Sequence, residues 1–490
     1  MLERYDMKTK ILSILLVVLV LALFSGQAHA QTEKTLTLSE AIEIAQKNSN
    51  VWSQFDAKEE TAKAQYKIAE SHWWPILSID SSLLFWTDVS KIDVMDKEEV
   101  KGQVTEAMGN LDATSQLLLK GFMPTLQSLG DALMGSIPEE IMIKDNITFT
   151  IGATIKMPLT PLFKVYQAGK LAQLGIDNVE VERRAKALAI SYEVTEVYLK
   201  LVYAQLMNEV ADEALETIGK HVEMAQKYEA VGMISHSDVL SAQVEQLKAR
   251  QNVVEARNGT RLAGMKLAQV LSLGRGVEVK ALEMPESAYS VQLDSLESYQ
   301  KQAIERRTEL ERINIGQEAA ERKRKMALLD YVPQVALFGS YQYANGFDIL
   351  RPSNQGLVGL MMSWTVFDGL GHYYEARKAS FEAAELSGKS EEAHELIELE
   401  VGQKYLALET ARERVELTQQ ALSLAEENLR TVTAQFAQGE SVDTDVLTAQ
   451  TRYSAARADD VKARIDILIA YAGLKLSLGD NPTLEANALR

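Results

Sequence analysis

Residues 146–157 read NITFTIGATIKM. The odd positions are Ile147, Phe149, Ile151, Ala153, Ile155 and Met157; the even positions are Asn146, Thr148, Thr150, Gly152, Thr154 and Lys156. Successive side chains on a strand point to opposite faces, so this stretch is a ribbon with one dry and one wet face. The surrounding chain is different in kind. Only nine of its 490 residues are proline, and Ala, Leu, Glu, Gln and Lys outnumber turn residues, which predicts a helix-dominated protein. The fold turns on what such a protein does with a few amphipathic ribbons.

The N-terminus predicts the compartment. Met7–Lys10 is basic, Ile11–Phe24 is apolar, and Ala28-His29-Ala30 is a small-x-small cleavage site, so residues 1–30 read as a secretory signal peptide that leaves Gln31 first. Met1 or Met7 serves as the start. The chain has no cysteine, which excludes disulfides, a thiolate metal site and a lipid attached through cysteine. No other apolar run reaches a helical membrane span, so a membrane crossing requires a closed barrel. The net charge is −18; removing the three basic and two acidic residues of the signal leaves 48 Lys+Arg against 67 Asp+Glu, or −19. Nucleic acid is therefore not an expected partner.

The chain contains itself twice. VGMISHSDVLSAQ (231–243) returns as QGESVDTDVLTAQ (438–450), with Gly232 matching Gly439 and Asp238 matching Asp445 at an offset of 207. VLSLG (270–274) returns as KLSLG (475–479), and GATIKMP (152–158) as VGLMMSWT (358–365). WWPILSIDSSLLF (73–85) matches YVPQVALFGSYQY (331–343) through Pro75 and Pro333, at an offset of 258. The two offsets differ by an insertion of 51 residues in the first copy, within about 88–145.

Each copy predicts a helix, two strands and a long helical hairpin. The first repeat spans 31–274: a helix over about 39–71 opened by the capping-box spacing Thr37–Glu40, strands over about 74–86 and 146–157, and a hairpin over about 162–270. A linker, 275–294, joins it to the second repeat, 295–479. That repeat holds a helix over about 295–329, strands over about 331–343 and 357–367, and a hairpin over about 370–478; a tail follows at 480–490. Both long helices, 162–230 and 370–437, lack proline in their interiors, and at 1.5 Å per residue each runs about 100 Å. Their Ala-rich, near-heptad pattern suits coiled-coil packing.

Four ribbons cannot close a barrel alone, since bacterial barrels start at about eight strands, whereas three copies would supply twelve. Aromatic residues sit at the strand ends: Trp73, Trp74, Phe85, Trp86, Tyr331, Tyr343, Trp364 and Phe367. That placement is an interfacial girdle pattern. The competing reading is a small soluble sandwich or a helix-packed sheet.

With LTLSEAIEIAQKNS (36–49) at the start and G-x5-D-V-L-x-A-Q at each hairpin turn, nearly the whole mature chain resembles the TolC-type outer membrane efflux family. The resemblance implies a homotrimer with a twelve-stranded barrel in outer membrane lipid and an α-helical barrel crossing the periplasm. It also implies a periplasmic adaptor and an inner-membrane transporter as partners, passive export of substrate, and no cofactor. The tips, through Val231, Gly232, Ser235, Asp238, Gly439, Ser441 and Val442, would meet the adaptor.

Asp445 would then form a ring of three carboxylates at the periplasmic gate, attracting cations. A second ring often lies one turn on; here that position is Thr448, and the basic residue expected after the glycine is Ser441. Asp443 would add a ring or a cap, and Phe436 stands where an aromatic latch is expected. For Asp238 the spacing Ser235-x-x-Asp238 reads as helix capping. The insertion reads as a structured extracellular segment, either a lid or a decoration, with helical spacing over 105–134 interrupted at Pro124.

No enzyme signature is complete. His394–Glu398 lacks the second histidine of a zinc-protease helix, Gly388-Lys389-Ser390 lacks the earlier glycine of a phosphate loop, and no G-x-S-x-G is present. The rival class is a secreted coiled-coil structural or adhesive envelope protein. It accounts for helices, acidity and signal, but not for four amphipathic ribbons.

Overall fold

A computed structural model describes residues 32–87, 91–94, 96–110, 123–137, 140–142, 146–274, 276–289, 291–345 and 354–482. The signal peptide, Gln31 and most of the C-terminal tail lie outside the described residues. The chain divides into two compact units. One takes in Met1–Thr61, Gly175–Gln317 and Ala384–Arg490; the other takes Ala62–Leu174 and Glu318–Ala383.

The second unit holds the ribbons. Strands β2 (Ile76–Phe85), β5 (Ile147–Pro158), β7 (Gln334–Asn345) and β8 (Asn354–Ser363) form one antiparallel sheet in the order β2-β5-β7-β8. The register runs Ile79↔Ala153↔Tyr341↔Gly356 on one row and Asp80↔Gly152↔Gln342↔Gln355 on the next. Leu77, Ile79, Leu83, Phe85, Ile147, Ile151, Ile155, Leu337, Tyr341, Leu360 and Met362 share one face, and all are exposed. Ser78, Asp80, Ser82, Thr150, Thr154, Ser340 and Gln342 share the other, where the Ser82 and Thr150 hydroxyls meet at 2.7 Å. Pro75 and Pro333 each stand immediately before a strand, where a missing N–H leaves no ladder bond unmade.

Trp73, Trp74, Tyr331, Trp364 and Phe367 flank one end of this sheet, with Phe85, Trp86 and Tyr343 at the other, all exposed. The Trp86 indole donates to Thr148 Oγ1 at 2.9 Å, and that of Trp364 to the Tyr331 carbonyl at 3.3 Å.

The insertion carries a short ribbon, β3 (Lys91–Asp93) with β4 (Glu140–Met142), and two helices, α3 (Lys97–Gly109) and α4 (Met123–Ser136). Pro124 lies in the first turn of α4 as described, and residues 111–122 of the expected helical stretch lie outside the described residues. The backbone N–H groups of that turn have no intrahelical acceptor, so proline costs nothing.

The first unit is helical around one apolar core. Two long hairpins, α5 (Leu162–Ala230) with α6 (His236–Val270) and α9 (Gly371–Ala437) with α10 (Asp443–Ser477), belong to it apart from residues 162–174 and 371–383, which fall in the second unit. The expected helix over 39–71 is two, α1 (Leu38–Asn48) and α2 (Val51–Ser71); that over 295–329 is also two, α7 (Leu296–Arg306) and α8 (Thr308–Leu328). Both breaks rest on one extended residue, Ser49 at ψ 123° and Arg307 at ψ 125°, 258 positions apart like Pro75 and Pro333. The short halves bury Ala41, Ile42 and Ala45, or Tyr299 and Ala303. At the second break the Arg307 guanidinium reaches Glu400 at 2.8 Å and the Ser477 carbonyl at 3.2 Å.

The expected linker 275–294 contains a strand instead. β6 (Val277–Ala281) pairs in parallel with β1 (Thr32–Leu36), and the α6 backbone passes so close that a Cβ at Gly264 would stand 2.7 Å from the Val279 carbonyl oxygen. The buried Tyr198 hydroxyl lies 3.0 Å from the Leu36 carbonyl and 2.8 Å from that of Leu282, tying α5 to the end of β1; burial pushes this phenol up to about 12. One sequence match slips. α6 and α10 end 207 residues apart and are C-capped by Leu271 and Leu478, so the LSLG similarity at offset 205 pairs residues that are not structurally equivalent.

Candidate functional site: the paired hairpin tips

Both hairpins turn in the same way. Gly232 has φ +76° and Gly439 φ +75°, a conformation that costs glycine nothing. Around the first, Gly232 N–H donates to Glu229 O and Met233 N–H to Tyr228 O; around the second, Gly439 donates to Phe436 O and Glu440 to Gln435 O. This is a Schellman ending, made twice. Neither Val231 nor Met233 is covered, and Val442 is exposed as well.

The return helices start on related caps. At the first, Ser235 Oγ accepts from Asp238 N–H at 3.3 Å, and Asp238 Oδ2 accepts from Ser235 N–H at 3.0 Å and from its hydroxyl at 2.7 Å. Those bonds hold the Asp238 carboxyl below the usual carboxylate range. At the second, the cap is Val442, which has no acceptor to give. Asp445 supplies the returning half alone, taking the Val442 N–H at 3.4 Å and the Ser441 hydroxyl at 3.1 Å. Asp445 and Thr448 are exposed and lie three residues apart, on one face of α10, and the Thr448 hydroxyl is turned back to the Thr444 carbonyl at 2.7 Å.

The tips part company one residue into the return helix. At offset 207, Glu229 and His236 of the first tip correspond to Phe436 and Asp443 of the second. Glu229 and His236 pair with each other at 2.7 Å on the surface. Phe436 and Asp443 turn inward onto the first hairpin. Asp443 Oδ1 accepts from His221 Nε2 at 2.5 Å, with both residues 5% exposed. Phe436 stacks tilted on His221 and on Tyr228, with ring centroids at 5.1 and 5.6 Å, and the Tyr228 hydroxyl reaches the Ala437 carbonyl at 3.3 Å. Asp443 therefore serves neither as an exposed ring nor as a side-chain cap within this chain. An open cleft of about 760 Å³ separates the tips, lined by residues that include Met233, Ile234, Asp238, Val442 and Thr444.

The sequence pattern of the outer membrane efflux proteins matches residues 112–272 and 300–480, the greater part of both repeats. The chain belongs to the outer membrane efflux protein family. It is an outer membrane efflux channel. Among solved structures the efflux protein is similar to CusC, with a TM-score of 0.71 and 14% identity over 90% of this chain and 92% of that one. It is similar to the outer membrane protein VceC of Vibrio cholerae, with 0.64 and 16% over 91% and 97%. The MtrE outer membrane channel of Neisseria gonorrhoeae, in its open state, gives 0.65 and 14% over 92% and 90%. Among proteins with curated descriptions, none matches the chain. The rival reading as a coiled-coil envelope scaffold finds no support in these comparisons.

Sequence reasoning missed His221. It lies 222 residues from its partner, in a stretch with no motif around it. The one available signal was the substitution of Phe and Asp for Glu and His at equivalent positions of the two tips.

Proposed function

We propose that three copies of this efflux protein close a twelve-stranded barrel in outer membrane lipid, with their hairpins assembled into a periplasmic duct. The observation that carries the reading is the four-stranded sheet. Its β2 and β8 edges lack a partner among the described residues, and its dry face is exposed along all four strands. Open edges and a bare apolar face are untenable in water or lipid unless further strands close the sheet. Strands of 10 to 12 residues suit a tilted bilayer crossing.

In this assembly the exposed tip residues Val231, Met233 and Val442 dock a periplasmic adaptor, which couples the duct to an inner-membrane transporter. Transport through the duct is passive, and its substrate is set by that transporter. Asp445, exposed on α10, contributes one of three carboxylates to the gate. Planar-bilayer recording tests this. The wild type is expected to show a small, cation-selective conductance that grows in Asp445→Ala. An unchanged conductance would remove Asp445 from the gate. Wild-type protein that is soluble without detergent and carries no current would remove the barrel. The insertion is read as an extracellular cap; export that survives deletion of 95–140 would make it a decoration.

A further inference from the structure

We infer that the wet face of the four-stranded sheet carries a subsite for an amphipathic anion, at the end that leads into α5 and α9: Lys156 takes the anionic group, and Phe338, Leu357 and Met361 take the apolar body. The inference rests on the barrel reading, which turns this face to the lumen. It concerns what the barrel wall holds, whereas the transporter decides what enters.

The wet face is not wet throughout. Its middle is polar, with Asp80, Ser78, Thr154, Ser340 and Gln342, but four apolar side chains stand on the same side of the strands at one end. Ile76 pairs with Lys156, Lys156 with Phe338 and Phe338 with Gly359 along one row. Leu357 and Met361 stand two positions to either side of Gly359 on β8, so they share its face. Ile76, Leu357 and Met361 are 59%, 55% and 45% exposed.

The aromatic ring is placed by a glycine. A Cβ at Gly359 would stand 3.2 and 3.4 Å from Cε1 and Cζ of Phe338, so the ring lies across β8 where glycine leaves room for it. That puts the ring between Leu357 and Met361 and makes one apolar strip beside Lys156. Lys156 is exposed, has no ion-pair partner among the described residues, and is the one cation on this face of the four strands. The one acid of the face, Asp80, is four positions further along, about 14 Å away at about 3.4 Å per residue, beyond the reach of a direct pair.

Barrel closure leaves this strip open. Neighbouring chains would meet the sheet at its β2 and β8 edges, not on its face. Twelve strands about 4.8 Å apart and tilted about 40° close a ring about 24 Å across, so three strips and three ammonium groups would face one lumen. A contiguous apolar surface bathed in water marks a contact site, and a charge at its edge fixes which end of a ligand lies there. The complement of this wall is an apolar body with a negative head.

The chain has no cysteine, so single introduced thiols report on each face. Ser340→Cys, paired with Leu357 on the wet face, and Leu360→Cys on the dry face are placed in the full-length protein in lipid nanodiscs. Their rates of modification by a small charged methanethiosulfonate are measured. Position 340 is expected to react fast and position 360 slowly. Equal or reversed rates would remove the lumen, and the subsite with it.

Octanesulfonate is then expected to slow the reaction at position 340 by about fivefold, while octyltrimethylammonium and ethanesulfonate at the same concentration leave it nearly unchanged. Lys156→Ala and Phe338→Ser should each abolish most of this protection, and Lys156→Glu should transfer it to octyltrimethylammonium. Asp80→Asn should leave it as it is. Protection shared equally by the two octyl compounds, or surviving Lys156→Glu, would overturn the anion. Equal protection by ethanesulfonate would overturn the apolar strip. Fast reaction at position 340 with no protection by octanesulfonate would overturn the subsite and leave the barrel reading standing.

Discussion

The two hairpin tips are the same backbone with different allegiances. Each ends a helix of nearly seventy residues on a Schellman turn, passes through a glycine near φ +75°, and restarts on an aspartate that reaches back to the cap. Yet the first tip satisfies itself. Ser235 and Asp238 complete a reciprocal cap, and Glu229 pairs with His236 in the open. The second tip has half a cap, at Val442 and Asp445, and sends Phe436 and Asp443 into the first hairpin. Duplication supplies the shape of a turn, while two substituted side chains decide whether the turn stands alone or leans on its twin.

The comparison breaks most sharply at its buried pair. His221→Ala is expected to cost the docked repeat-two tip about 3 to 5 kcal/mol, because Asp443 stays buried without its donor. Its matched change at the surface pair, Glu229→Ala, should cost a small fraction of that. Hydrogen exchange of the first α10 amides against the first α6 amides reads both. Equal effects at the two tips would erase the distinction.

The glycines should behave alike. Gly232→Ala and Gly439→Ala each place a Cβ in a left-handed conformation without a clash, in open space at Gly232 and at van der Waals distance from Met233 Cε at Gly439, at about 1 to 2 kcal/mol. A large inequality between them in thermal unfolding would mean that the backbones are less equivalent than their dihedrals.

The caps sharpen the contrast. Ser235→Ala is expected to destabilise the start of α6 by about 1 kcal/mol, and Val442→Ser to stabilise the start of α10 by a similar amount, by giving Asp445 its missing counterpart. Exchange protection of the two first turns checks both signs.

The smallest effect is one of pH. The Asp238 carboxyl is held below its ordinary value by the Ser235 hydroxyl and N–H. Its contribution to the α6 cap is complete above the unfolded carboxylate range and is lost as pH falls through the lowered folded value. Asp238→Asn should flatten this acid dependence of the Ser235 and Asp238 amides and leave that at the second tip untouched.

Much of this was legible in residue order. The dry and wet faces of β5 follow from period-2 alternation, and the tips follow from G-x5-D-V-L-x-A-Q, because both depend on residues a few positions apart. The Thr37–Glu40 capping box likewise forms as its spacing requires. Other features were not legible. Neither break, at Ser49 or at Arg307, has a proline or glycine at it to announce it; at Arg307 partners nearly a hundred residues or more away are visible. The β1–β6 pair joins two five-residue strands, one at the start of the first repeat and one in the linker after it, too short for alternation to single out.

By itself the sequence determined the duplication, the long proline-free helices, the four ribbons and the two glycine turns, and with them the family. Each of these is a local periodicity or a short spacing that any copy of the segment would express. Only the tertiary structure decided that Phe436 and Asp443 turn inward while their counterparts Glu229 and His236 remain in water. The direction of a side chain at a helix end depends on what docks beside it, and here that neighbour is a histidine 222 residues away.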